Sequence, residues 1–180
     1  MPVGDTRMVL WTGPRHSGKT TSVGALVGRA RERGFEVAGL LAPAVYEDRR
    51  LIGFDVLDLG TGVGMPLSHV GRGGVEQVGA FSLTKEGLEF GCKALDLTVV
   101  GRADLIVVDE FGPLELRGRG WRRAVDTLLC PSGSVSGLIL LVVRQELALQ
   151  VSRLYNPVTC PILQSSQDTA VDALIDMLAQ

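Results

Sequence analysis

The segment Gly13-Pro14-Arg15-His16-Ser17-Gly18-Lys19-Thr20 follows the apolar run Met8-Val9-Leu10-Trp11 and opens a stretch of helical periodicity. It satisfies G-x-x-x-x-G-K-[ST], and a place between strand and helix is what that pattern requires. With this chain's glycine, lysine and Ser/Thr content, the pattern alone would arise by chance in roughly one such sequence in two hundred. A loop of this kind surrounds crowded phosphate oxygens with amide N–H groups and a helix amino terminus, and glycine lets the backbone come close. Lys19 is then the cation for the β- and γ-phosphates, and Thr20 offers its hydroxyl to Mg²⁺. The candidate nucleotide-binding residues are Gly13, Pro14, Arg15, His16, Ser17, Gly18, Lys19, Thr20 and Thr21. Arg15 and His16 hold the loop's variable positions, where a solvated side chain and a phosphate contact both stay open.

The rest of the chain repeats the alternation of strand and helix. Val23, Leu26, Val27 and Ala30 recur at helical spacing from Gly18 to Arg33, Gly34 stops the helix, and Val37 to Leu41 is a second strand. Leu88, Cys92, Leu95 and Val99 mark one helix between Thr84 and Gly101. Leu105-Ile106-Val107-Val108 and Leu138 to Val143 are continuous apolar runs, hence strands buried on both faces. Trp121, Val125, Leu128 and Leu129 mark another helix, and a short one is expected around Gln145 to Leu154. Ile162-Leu163 is a candidate last strand, and Val171, Leu174, Ile175 and Leu178 mark a closing amphipathic helix. The fold expected is α/β, a mostly parallel sheet flanked by helices. Residues 44–83 break the pattern: Ile52, Phe54 and Val56 alternate with Gly53 and Asp55 among many glycines, which reads as an antiparallel β-hairpin insertion with loops at the sheet's edge or over the site.

Asp109-Glu110 stand at the carboxyl end of the Leu105–Val108 run, where ligands of open α/β sheets bind. Asp109 suits a Walker-B role on Mg²⁺, directly or through water. A carboxylate beside it, Glu110, is placed to orient the water that attacks the γ-phosphate, which favours hydrolysis over transfer to a second substrate.

Length and composition bound the partners. The 180 residues, 46% hydrophobic and 21% charged, fit one domain over 1–180 with a single sizeable core. No apolar run approaches the roughly 18 residues of a membrane span, and the start lacks the basic-then-apolar pattern of a secretory signal. A cytoplasmic protein is expected, with no membrane partner. Eighteen basic against 20 acidic residues argues against a general nucleic-acid coat protein. Cys92, Cys130 and Cys160 are odd in number and far apart, which supports neither a disulfide framework nor a zinc site.

In four segments the chain resembles the small P-loop nucleoside-triphosphatases that include the cancer-related nucleoside-triphosphatase and its archaeal and bacterial relatives. The segments are residues 13–21, the stretch from Arg50 to Leu59, the stretch from Val78 through the helix to Leu95, and Ala103 to Leu116 with its Asp-Glu-Phe-Gly-Pro-Leu-Glu-Leu. Membership implies a RecA-like fold and slow, Mg²⁺-dependent hydrolysis of ATP, GTP and other nucleoside triphosphates with weak base discrimination. Lys19, Thr20, Asp109 and Glu110 match its motif positions. Gly112-Pro113 replaces the usual glycine-lysine, Arg144-Gln145 stands where relatives carry a small or histidine-containing segment, and the last forty residues align poorly.

Arg144 ends a strand on the active-site edge, and Arg153 resembles the family's arginine at that place. Each is a candidate for stabilising charge on the transferred phosphoryl group, with a surface salt bridge as the alternative. Arg117, Arg119, Arg122 and Arg123 read as a solvated loop or an anion-binding cluster, and Trp121 as a core anchor. Asp55 and Asp58 read as polar hairpin residues or as parts of a lid. Two further function classes stay open. One is a nucleotide-dependent switch or adaptor acting through a protein partner, akin to helpers of molybdenum-cofactor assembly; the other is a small-molecule kinase.

Overall fold

The computed structural model describes residues 8–71, 73–130, 135–155, 161–164 and 169–180. Residues 1–7 and Cys160, both read in the sequence, lie outside the described residues. The first strand, β1 (Met8–Gly13), is buried throughout and feeds the loop before α1 (Lys19–Glu32). Gly34, at φ +86°, ends that helix as its sequence position implies. Next come β2 (Val37–Leu41), β3 (Ala44–Glu47), β4 (Arg50–Asp58), β5 (Gly64–Val70), β6 (Glu76–Val78) and β7 (Phe81–Leu83). The chain then forms α2 (Lys85–Ala94), α3 (Leu97–Val100), β8 (Leu105–Val108), α4 (Pro113–Leu116) and α5 (Arg122–Leu128). It closes with β9 (Leu138–Arg144), a 3₁₀ turn over Gln145–Leu147, α6 (Ala148–Tyr155), β10 (Ile162–Gln164) and α7 (Ala170–Leu178).

The single helix expected between Thr84 and Gly101 is two. Thr84 caps α2 by accepting the Gly87 N–H, as its type implies. Asp96 then breaks the run, because its carboxylate accepts the Thr98 N–H and starts α3 afresh.

The strands form one sheet in the order β10-β1-β9-β8-β2-β4-β5-β7-β6, with β3 also paired to β4. From β10 to β2 every pairing is parallel, as the buried apolar runs require. The Asp109-bearing strand β8 is not the neighbour of β1; β9 lies between them. From β4 outward every pairing is antiparallel. The 44–83 insertion is therefore at the sheet edge as expected, but it is richer than a hairpin, with five strands continuous with the sheet. Leu41 pairs with Leu57, and β4 extends seven residues past that point to Arg50. At about 3.3 Å per residue the β3–β4 hairpin reaches about 20 Å beyond the carboxyl edge of the parallel strands. It stands as an arm beside the edge where ligands bind.

The core lies on both faces of the sheet. Val23, Leu26, Val27 and Ala30 of α1 pack with Val9, Trp11, Leu140 and α7 on one face; Leu40, Ile106, Trp121, Val125 and Val151 share the other. Leu26 is fully buried, so Leu26→Ala would remove about 2–5 kcal/mol and loosen the helix that carries the loop. Among the described residues no helix is long and apolar enough to cross a membrane.

Candidate active site

The start of α1 is built to receive an anion. Gly18 precedes it at φ +78°, a left-handed conformation that only glycine adopts without strain. No side chain caps the helix, and its first turn holds no acidic residue. The early amide N–H groups thus have no side-chain acceptor, in contrast to α2, where Thr84 accepts. Below the loop the Trp11 indole N–H donates to Ser22 Oγ at 3.0 Å, and Ser22 Oγ donates to the Lys19 carbonyl at 2.8 Å, tying the first turn to β1. Lys19 is buried, and its Nζ donates to the Pro14 carbonyl at 2.8 Å. Its ammonium therefore lies across the loop.

Pro14, Arg15, His16, Ser17 and Gly18 are exposed along the loop, Gly13 is buried at its root, and Thr21 is exposed on α1. His16 has φ +58°, so the loop holds two left-handed residues. Arg15 forms an exposed pair with Glu146 at 3.4 Å.

The two halves of the site meet at Thr20 and Asp109. The Thr20 hydroxyl comes near the Asp109 carboxylate across the β1–β9–β8 step and favours its charged form. Asp109 is fully buried; its Oδ2 accepts the Ala42 N–H at 3.0 Å and its Oδ1 accepts the Glu110 N–H at 2.9 Å. Burial, then the neighbouring Glu110 charge, push its carboxyl up to about 6, against those hydrogen bonds. Glu110 is half-buried at φ +57°, a conformation costing a residue with a Cβ about 1–2 kcal/mol.

Arg144 is brought to the site. It ends β9 as the register partner of Gly13, beside the root of the loop, and it is half-buried. Arg153 lies on the exposed side of α6, opposite the face formed by buried Ala148 and Val151. Among the described residues it makes no ion pair. Asp58 is buried and closes the β4–β5 turn, accepting the Gly60 N–H and the Thr61 hydroxyl at 2.8 Å each. Asp55 is half-buried on β4. In the arginine cluster, Arg119 pairs with Glu76 of β6, Arg122 pairs with Asp126 and stacks over Tyr155, and Arg117 and Arg123 are exposed. Trp121 is buried in the core.

Sequence reasoning missed Ala42, which acts through its backbone, and Glu115, which is buried with an oxygen on the Gly112 N–H. The first carries no side-chain signal. The second sits at the third position of the α4 turn, a capping spacing open to reading.

A phosphate-binding loop, an acid pair two strands away and the parallel order β10-β1-β9-β8-β2 together define a P-loop nucleoside-triphosphate-binding protein with a RecA-like sheet. Residues 8–166 match the protein family described as NTPase. The nucleoside-triphosphatase THEP1 of Saccharolobus solfataricus is 30% identical over 121 residues, 67% of this chain and 69% of the relative. That of Methanopyrus kandleri is 34% identical over 122 residues, 66% and 67% of the two chains. The human cancer-related nucleoside triphosphatase superposes with a TM-score of 0.70 at 26% identity, over 97% of this chain and 96% of that one. THEP1 of Aquifex aeolicus, at 19% identity, TM-score 0.72 and 96% and 99% coverage, shares the fold. The chain belongs to this nucleoside-triphosphatase family, and it is a nucleoside-triphosphate hydrolase.

Proposed function

We propose that the chain hydrolyses ATP, GTP and other nucleoside triphosphates to the diphosphate and phosphate in a Mg²⁺-dependent reaction in the cytoplasm, and that residues 1–180 act as one domain. The observation that carries this reading is the approach of the Thr20 hydroxyl to the buried Asp109 carboxylate, which brings the phosphate loop to the acid pair.

The donors suit a hard cation. A hydroxyl and a carboxylate near one another are the oxygen ligands Mg²⁺ prefers. Asp109 is buried with its carboxyl pushed up to about 6, so a cation there relieves a desolvated charge. Thr20 and Asp109 would hold Mg²⁺, which when bound would supply positive charge to offset that of the leaving diphosphate. The chain does the rest: residues 13–21 supply amide donors, Lys19 exchanges its Pro14 carbonyl for phosphate oxygens, Glu110 orients the attacking water, and Arg144 offsets charge on the phosphoryl group. Arg153 is the alternative to Arg144 in that last role.

The test is phosphate release with ATP, GTP, CTP and UTP, with and without Mg²⁺, by wild type and Lys19→Ala. Release from all four, abolished by chelation and reduced at least tenfold by Lys19→Ala, is expected. Release that ignores both Mg²⁺ and Lys19 contradicts the proposal.

A second reading, a nucleotide-dependent switch acting on a protein partner, draws on the ties between the arm and the site. Asp109 holds the Ala42 N–H at the arm's base, and Arg119, downstream of the acid pair, holds Glu76 on β6. A partner captured with a non-hydrolysable analogue and not with the diphosphate would favour it; equal capture counts against it.

A further inference from the structure

Glu110 keeps its left-handed backbone because three successive amides are held. Its own N–H donates to Asp109 Oδ1 at 2.9 Å, the Phe111 N–H donates to the Val142 carbonyl of β9 at 3.0 Å, and the Gly112 N–H donates to Glu115 Oε2 at 2.8 Å. The first acceptor lies one residue past β8 and the second within β9. The third is a side chain only 3% exposed. Its other oxygen, Oε1, accepts the Trp121 N–H at 3.2 Å, and Trp121 is anchored in the core. Gly120, at φ +56°, closes over the same oxygen so tightly that a Cβ there would stand 2.1 Å from it. Among the described residues no lysine or arginine side chain pairs with this carboxylate.

A buried acid without a cation is a poor device for stability, since an apolar side chain would avoid the desolvation. It is a good device for rigidity, because a carboxylate offers two acceptors to amides from two segments at once. We infer that Glu115 is a positioning residue for hydrolysis: by bridging the Gly112 and Trp121 N–H groups it locks the backbone of residues 110–112 and holds the Glu110 carboxylate toward the phosphate loop. Without the bridge, the strain at Glu110 relaxes and its side chain swings away. The inference rests on the reading of Glu110 as the residue that orients water.

The test is a double-mutant cycle with wild type, Glu110→Gln, Glu115→Ala and the double variant. Each is assayed for kcat, KM and binding of a non-hydrolysable Mg·nucleotide analogue. Glu115→Ala is expected to lower kcat at least tenfold with KM and analogue affinity within threefold. In the Glu110→Gln background it should lower kcat by less than twofold, because the residue it positions is already disabled. Glu115→Gln should recover part of the loss, since its carbonyl oxygen still accepts the Gly112 N–H. A purely structural role gives losses that multiply in the double variant; that result, or a Glu115→Ala kcat within twofold of wild type, overturns the inference. Should Glu115→Ala fail to fold, Glu115→Gln takes its place in the cycle, with a kcat loss of at least threefold expected in the wild-type background and of less than twofold in the Glu110→Gln background; equal losses in the two backgrounds overturn the inference. Full turnover by Glu110→Gln is a separate outcome, which sinks the reading of Glu110 and this inference with it.

Discussion

Gly13 and Arg144 are register partners at the carboxyl ends of the neighbouring parallel strands β1 and β9. That pairing puts the Arg144 backbone beside the root of the phosphate loop, held by its pairing with β1 rather than by a flexible connection. Arg144→Ala is therefore expected to lower kcat at least tenfold while KM changes little, as loss of a transition-state contact does. Arg153→Ala, on the exposed side of α6, should stay within twofold of wild type. Steady-state kinetics on the two variants decide between them; the reverse pattern moves the role to Arg153.

Burial pushes the Glu115 carboxyl from 4.5 up to about 7, opposed by its hydrogen bonds to Gly112 and Trp121 and reinforced by the Glu110 charge. A carboxyl raised on folding binds its proton more tightly in the native state. Its contribution to stability is complete below about pH 4.5 and is lost as pH rises through about 7. Wild type should therefore lose about 3 kcal/mol between pH 4.5 and 8 from this group, and Glu115→Gln should not. Denaturant unfolding at a series of pH values measures it: the stability difference between the two proteins is expected to shift by that amount, and a constant difference contradicts it.

The tip of the arm is strained. Asp48 and Arg49, the two residues between β3 and β4, have φ +47° and +63°, a turn that favours Asn-Gly. Arg49→Gly relieves about 1–2 kcal/mol of left-handed strain at the expense of about 0.5–1 kcal/mol of chain entropy. A gain of about 0.5–1 kcal/mol is expected, raising the thermal midpoint by about 1–4 °C. A lower midpoint would show that the Arg49 side chain holds the turn through contacts worth more than the strain.

The parallel half of the sheet was legible because its strands are unbroken apolar runs and α1 carries a clear 3.6-residue period. The loop was legible because glycine, lysine and threonine there have one shared use. The arm was less so: β6 and β7 have three residues each, too few for alternation to register, and their pairing is decided by partners far along the chain. The break at Asp96 is a local contest between a capping carboxylate and an otherwise continuous helical period. Trp121 followed its type into the core, whereas Glu115 went against its own, and only the two amide donors that meet it there explain why. The Ala42 N–H on Asp109 lies beyond any pattern of side chains.

Glu110, left-handed and next to the buried Asp109, is the residue whose proposed role is most open to test. Single-turnover phosphate release by Glu110→Gln at saturating Mg·nucleotide, with analogue affinity measured on the same protein, addresses it directly. Affinity within threefold of wild type and release slower by about 10² or more are expected. Release at the wild-type rate would contradict that role.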